Sequence, residues 1–147
     1  KLFNLNNINL TYKKSLLLNK YLKDEKGEDL ISSYKRAFNI LESEKDASNK
    51  KFSDELDVGL FKNEYEKNLY KKILELKDVT SKLIQNGDFL TVLENLSGSK
   101  KVIYEFFDNV QVNAEDQNLR KNRLELIRML CKTFDNFIGF SEIENNT

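Results

Sequence analysis

The segment Phe106-Phe-Asp-Asn-Val-Gln-Val-Asn-Ala-Glu-Asp-Gln-Asn-Leu-Arg-Lys-Asn-Arg-Leu-Glu-Leu-Ile127 contains a change of direction from which the rest of the chain can be read. The aromatic pair Phe106-Phe107 ends one helix, and a short Val110-Gln-Val112 stretch crosses over. A long amphipathic helix then opens near Asn113-Ala-Glu-Asp116. Asn is a favoured N-cap because its side-chain oxygen accepts from a first-turn N–H, and acidic groups are stabilised at the positive end of the helix dipole. Asn113 is therefore the expected cap of a helix from Ala114 to about Ile138. Leu119, Leu124, Ile127, Cys131 or Leu130, Phe134, and Phe137 or Ile138 form its inward stripe. Asp108, Arg120, Asn122 and Arg123 cluster around the crossover, and the helix start alone does not account for them.

Outward from this segment the same periodicity recurs. Phe61, Tyr65, Leu69, Ile73, Leu76, Val79 and Leu83 step by three and four, which predicts a helix from near Asp57 to Gln85. Asn86-Gly87-Asp88 stops it, a short helix spans Asp88 to Leu96, and Ser97-Gly98 leads into another from about Ser99 to the aromatic pair. Upstream, Leu30, Ile31, Tyr34, Ala37, Phe38 and Leu41 mark a helix over about Glu28–Ser43. An earlier one, Thr11–Leu22, is closed by the Gly27 turn. Residues 44–54 read as a solvated linker, and the Asn-rich residues 1–10 as a disordered, ragged edge. No segment sustains a two-residue alternation. The expectation is an all-α bundle of five or six helices forming one domain over 11–144, followed by a short tail at 145–147.

Composition narrows function mainly by exclusion. The 147 residues include 24 basic and 24 acidic groups, no His, no Pro, 5 Gly and 1 Cys. No global charge draws the chain to nucleic acid or membrane, so any RNA contact has to come from a local patch. Residues 1–51 are mildly basic, with 11 basic against 7 acidic groups. The absence of His removes Ser–His and Cys–His nucleophile pairs and His-based metal sites. One Cys can build neither an internal disulfide nor a Cys-based metal site, and Cys131 falls in an apolar stripe. No apolar run reaches the ~20 residues of a membrane span. The chain opens on Lys1 and reads as a piece of something longer, without catalytic apparatus of its own.

Two segments exceed what a plain bundle requires. In Tyr34-Lys-Arg-Ala-Phe-Asn-Ile-Leu41, Lys35 and Asn39 share an outward face with Arg36 beside them. In Arg120-Lys121-Asn122-Arg123, the two arginines are i, i+3 neighbours whose forks suit either a carboxylate such as Asp108 or an RNA phosphate. A tie between Asp108 and Arg123 locking the crossover is the structural expectation, and one exposed patch of Lys35, Arg36, Arg120, Lys121 and Arg123 is the functional one.

Taken together, these segments resemble the C-terminal anticodon-binding domain of the bacterial glycyl-tRNA synthetase beta subunit. That family carries a KR-x-x-NI-L helix, matched by Lys35-Arg36-Ala-Phe-Asn39-Ile40-Leu41. It also carries an acidic and apolar segment similar to Asp57-Val-Gly-Leu-Phe61, with a Glu in the next helix, here Glu64 or Glu66. Its FFD-x-V-x-V-x-AED-x-x-x-R-x-NRL-x-L block is matched from Phe106 to Leu126. Departures are Gln111 and Asn113 where Met is common, and Gly139 where Asp is common. The arginyl-tRNA synthetase anticodon domain is the nearest rival, but it usually ends in a Pro- and Met-containing tail, and this chain has no Pro.

The resemblance implies that Lys35, Arg36, Asn39, Arg120 and Lys121 contact the anticodon arm of glycine tRNA, with Asp108, Asn113, Asn122 and Arg123 structural. It implies partners in the alpha subunit and the remainder of beta, a cytoplasmic setting, and no cofactor held here, ATP being used by the parent enzyme. A helical protein-interaction module that docks subunits is the competing reading, supported by the near-zero net charge.

Overall fold

The computed structural model describes residues 20–21, 23–48 and 56–138. The ragged edge at 1–10, nearly all of the helix expected over Thr11–Leu22, the second half of the expected linker, and the tail at 145–147 lie outside the described residues. Those described form an all-α bundle: α1 Glu25–Ser48, α2 Glu64–Gln85, α3 Phe89–Ser97, α4 Lys100–Asn109 and α5 Gln117–Ile138, with a 3-10 turn at Val58–Leu60 before α2.

Gly27 does not close a preceding helix. The chain turns at Lys23–Asp24, and the Asp24 carbonyl accepts from the N–H groups of Gly27 and Glu28, at 3.0 and 3.1 Å, to start α1. Glu25 and Glu28 sit in its first turn, where the helix dipole favours them. The far end of α1 also runs past expectation. Glu44 opens no solvated linker but stays helical, because its carboxylate meets Arg120.

The start of α2 comes seven residues after the expected Asp57. Asp57 accepts from Gly59 N at 2.9 Å and commits the chain to a 3-10 turn, and Asn63 becomes the true N-cap by accepting from Glu66 N at 3.0 Å. Short polar side chains compete with the helix for backbone donors, and here two of them set its boundary. Phe61 is buried outside any helix, its ring centroid 5.6 Å from that of Tyr70. The inward stripe is Leu69, Ile73, Leu76 and Thr80 rather than Val79, which is exposed; the Thr80 hydroxyl donates to the Leu76 carbonyl. The helix ends as expected. Gly87 takes φ 73°, and the N–H groups of Gly87 and Asp88 bond the carbonyls of Ile84 and Leu83, the paired closure of a Schellman end.

Asp88 caps α3 through Thr91 N, and Phe89, Val92, Leu93 and Leu96 face the core. The last helix corrects the expectation at its start. Asn113 is not a cap. Asp116 takes that place, its carboxylate accepting from Asn118 N at 2.8 Å and Leu119 N at 3.3 Å. Asn113 is exposed, three residues outside the cap, and its carbonyl accepts from the Gln111 amide. Asp116→Ala is therefore expected to cost about 1 kcal/mol in urea unfolding, with Asn113→Ala within about 0.5 kcal/mol of the parent.

Helix α5 lies against both α1 and α2, α2 also packs on α3 and α4, and α1 crosses α3, α4 and α5. Tyr34, Leu69, Ile73, Leu93, Ile103, Phe106, Ile127 and Phe134 meet in the fully buried centre. Cys131 is buried beside them, as its place in the stripe implies.

Candidate functional site

The two segments singled out in the sequence meet where α1 runs beside α4 and the start of α5. Three polar ties join α1 to α4 in parallel register. Lys100 Nζ donates to Asp29 at 2.6 Å, the hydroxyls of Ser32 and Tyr104 share a 2.7 Å bond, and Arg36 Nη2 donates to Asp108 Oδ1 at 3.1 Å. The hydrogen bond that Lys100 donates to Asp29 is the chief reason that the Lys100 pKa is raised; burial opposes it and the carboxylate charge adds to it. A raised lysine pKa favours the folded state below the ordinary lysine pKa, and that contribution disappears as pH climbs through the raised value. At neutral pH the Lys100 ammonium is charged.

Arg36 also covers two rings, its guanidinium carbon 5.0 Å from the Phe107 centroid and 5.5 Å from that of Tyr104. Cation–π contact and the Asp108 bond together hold this long side chain in one place. It is still 41% exposed, and Asp108 is 64% exposed.

The expected tie between Asp108 and Arg123 does not form. Asp108 remains on the last turn of α4 and faces α1, whereas Arg123 points the other way, into the junction with α2. There Arg123 Nε donates to Glu66 Oε1, and Arg123 Nη1 donates to the Gln111 carbonyl at 2.7 Å. The other Glu66 oxygen accepts from Lys62 N at 2.7 Å. The pair is 11% and 1% exposed. The crossover is thus pinned by Arg123, through a backbone carbonyl rather than through Asp108. Next to it, buried Asn122 accepts from Asp57 N at 2.8 Å and donates to Asp57 O at 2.9 Å, a two-point clasp on the segment leading into α2.

The five basic residues do not form one exposed patch. Arg123 is inside. Arg120 is bound to Glu44 through both Nε and Nη2, at side-chain exposures of 23% and 14%. Lys35, Arg36 and Asn39 face outward from α1, and Lys121 from the first turns of α5. The Arg120–Glu44 contact joins the two helices at this surface.

Glu44, Asp57 and Asp29 were not anticipated as partners, and of these only Asp57 stood near a recognisable pattern. Glu66 had a usable signal, because an Asn with a Glu three positions later marks a helix start whose Glu reaches back toward the preceding N–H groups. Among the described residues no group of three or more Cys, Asp or Glu is arranged to hold a metal ion, and no helix is long and apolar enough to cross a membrane.

A family model described as the DALR anticodon binding domain matches residues 30–145. The chain is 35% identical over 126 residues to the glycine–tRNA ligase beta subunit of Rickettsia typhi (strain ATCC VR-144 / Wilmington), covering 86% of this chain and 18% of that protein. The corresponding subunit of Rickettsia prowazekii (strain Madrid E) is 34% identical over the same length and shares. That of Sulfurihydrogenibium sp. (strain YO3AOP1) is 34% identical over 116 residues, 79% of this chain and 16% of that protein. The chain spans less than a fifth of the length of these relatives.

Proposed function

Because the chain belongs to the DALR anticodon binding domain family, we propose that it is the anticodon-arm-binding module of a glycine–tRNA ligase beta subunit. The observation that carries this reading is the extent of the family match, which includes both the Lys35–Leu41 and the Phe106–Leu126 blocks. The names of the relatives favour glycine over arginine as the amino acid served. In this reading the chain supplies RNA contact and no chemistry. ATP and glycine are handled elsewhere in the enzyme, an alpha subunit and the rest of beta complete the assembly, and the enzyme works in the cytoplasm.

Anticodon bases are unpaired, so they can be splayed out and read on their edges while cationic side chains hold the backbone. Lys35 and Lys121 are placed to meet phosphates, and Asn39, one turn beyond Lys35, to meet a base edge. Arg36 and Arg120 belong to the same surface. Arg120 serves it through Glu44, setting the spacing between α1 and α5.

The test is titration of glycine tRNA, with native and altered anticodons, into the complete ligase across a salt series. Lys35→Ala and Lys121→Ala are each expected to weaken every tRNA alike. Each should also flatten the dependence of log K on log salt by about 0.7, the value for one single-strand phosphate contact. Asn39→Ala is expected to erode the preference for the native anticodon instead. Unchanged affinity and slope in both lysine variants would remove these helices from the RNA interface.

A further inference from the structure

We propose that Asn86 is a site of spontaneous covalent modification, converting to aspartate and isoaspartate through a cyclic imide formed with Gly87. This chemistry does not depend on the anticodon-arm reading. Of the 18 asparagines in the chain, Asn86 alone is followed by glycine. Imide closure brings the next backbone nitrogen onto the side-chain carbonyl carbon, and any residue but glycine puts a Cβ in the way. Asn113 is followed by Ala114, and all the others by larger residues. The surroundings single out Asn86 as well. Asn63 accepts from Glu66 N, Asn95 and Asn109 donate to the carbonyls of Thr91 and Glu105, and Asn122 clasps Asp57. Among the described residues the Asn86 side-chain amide has no such tie, and both Asn86 and Gly87 are exposed. No other residue comes within 4 Å of the space that a Cβ on Gly87 would fill. Solvent therefore reaches the junction.

In the first step the Gly87 nitrogen gives its proton to solvent base and bonds to Asn86 Cγ. The bond from Cγ to the side-chain nitrogen breaks, and ammonia leaves. Water then opens the imide at either carbonyl. One opening leaves aspartate, and the other leaves isoaspartate, with the main chain routed through the former side chain. The folded turn restrains the first step. The Gly87 N–H is bonded to the Ile84 carbonyl at 3.0 Å, and Asn86 holds a helical ψ of −3° with its own N–H directed at Lys82 and Ile84. Cyclisation thus proceeds from a state in which the last turn of α2 has opened, and helix ends open at small cost. The product favours that opened state. Its carboxylate lies at the negative end of the α2 dipole, where Lys82 is the basic residue of the last turn. Isoaspartate also adds a backbone carbon between α2 and α3, which breaks the register of the bonds closing on Leu83 and Ile84.

The experiment ages the full chain in mildly alkaline buffer, with and without concentrated guanidinium chloride, and follows each asparagine by peptide mass spectrometry. Isoaspartate is scored by methyl transfer from S-adenosylmethionine with an isoaspartyl methyltransferase. Asn86 is expected to convert first in both conditions, and about tenfold more slowly in the folded chain, as fits a weakly held helix end. Asn86→Gln, whose imide needs a larger ring, should remove the early isoaspartate and leave the urea midpoint near that of the fresh parent. Aged parent protein should unfold at lower urea than fresh protein. Its shift should exceed that of Asn86→Asp, which carries the charge without the extra backbone carbon. Conversion of any other asparagine before Asn86 overturns the site. Equal rates in the folded and unfolded chains overturn its control by the α2 turn.

Discussion

Replacing Arg123 by alanine is expected to cost about 3–5 kcal/mol of folding free energy, the usual penalty for removing one partner of a buried ion pair. Glu66 is 1% exposed, and Arg123 is the cation bound to its Oε1. Without it a carboxylate stays in the interior with one N–H donor, from Lys62, and the Gln111 carbonyl loses its tie to α5. The loss reflects the stranded Glu66 charge more than the net value of the pair. Glu66→Gln should therefore be distinctly milder, since an amide oxygen still accepts from Lys62 N. Urea unfolding followed by far-ultraviolet circular dichroism measures both. Equal, small losses in the two variants would show that water reaches the site and that the pair is not desolvated.

Phe134→Ala is expected to have a comparable effect, about 3–5 kcal/mol, by a different mechanism. Phe134 is fully buried on α5, its ring centroid 6.2 Å from that of Tyr34 on α1. Tyr34 is itself fixed, donating from its hydroxyl to Asp135 at 3.1 Å. A ring removed here leaves a cavity whose walls cannot easily close, because α1 is also pinned along α4. Phe134→Leu retains much of the volume and should cost less than half as much. Arg123 and Phe134 lie about 16 Å apart along α5 at 1.5 Å per residue, so their effects should add. The double variant would lose most of the ~5–15 kcal/mol that stabilises a typical domain. Retained cooperative unfolding at an unchanged midpoint in either single variant would contradict the packing described.

Helix ends were legible in the sequence wherever one residue type determined the backbone unaided. Gly87 stops α2 because its positive φ is cheap only for glycine, and Asp88 and the Ser97-Gly98 pair bound α3 for similarly local reasons. The starts of α2 and α5 were less legible, because each offered two acceptors of the same kind. Asp57 and Asn63 compete before α2, and Asn113 and Asp116 before α5. The winners are the later residues; before α5, Val110 is buried and Val112 packs against the core, and the chain bends at Val112–Asn113 and again at Glu115–Asp116 before the helix begins. Charge pairing was the least legible feature. Periodicity identifies the face a residue occupies but not which of several distant carboxylates comes opposite it. Arg36, Arg120 and Arg123 found partners 72, 76 and 57 residues away. The resemblance to a known family points to the right blocks of sequence without giving their internal pairing, and Asp108 meets Arg36 rather than the expected Arg123.

The parallel seam between α1 and α4 has a consequence for the order of assembly. Its three ties join residues 71 or 72 positions apart, whereas α2, α3 and α4 follow one another through connections of two or three residues. Closing a loop of ~70 residues costs roughly 4 kcal/mol of chain entropy before any of those ties forms, and the short connections cost far less. Helix α1 is therefore expected to join after the α2–α4 unit, which forms through the short connections. Lys35, Arg36 and Asn39 all belong to that late-arriving helix, while Lys121 belongs to its neighbour. A ligand that touches both favours the fully assembled chain over every partly open one, so occupancy and completion of the fold rise together.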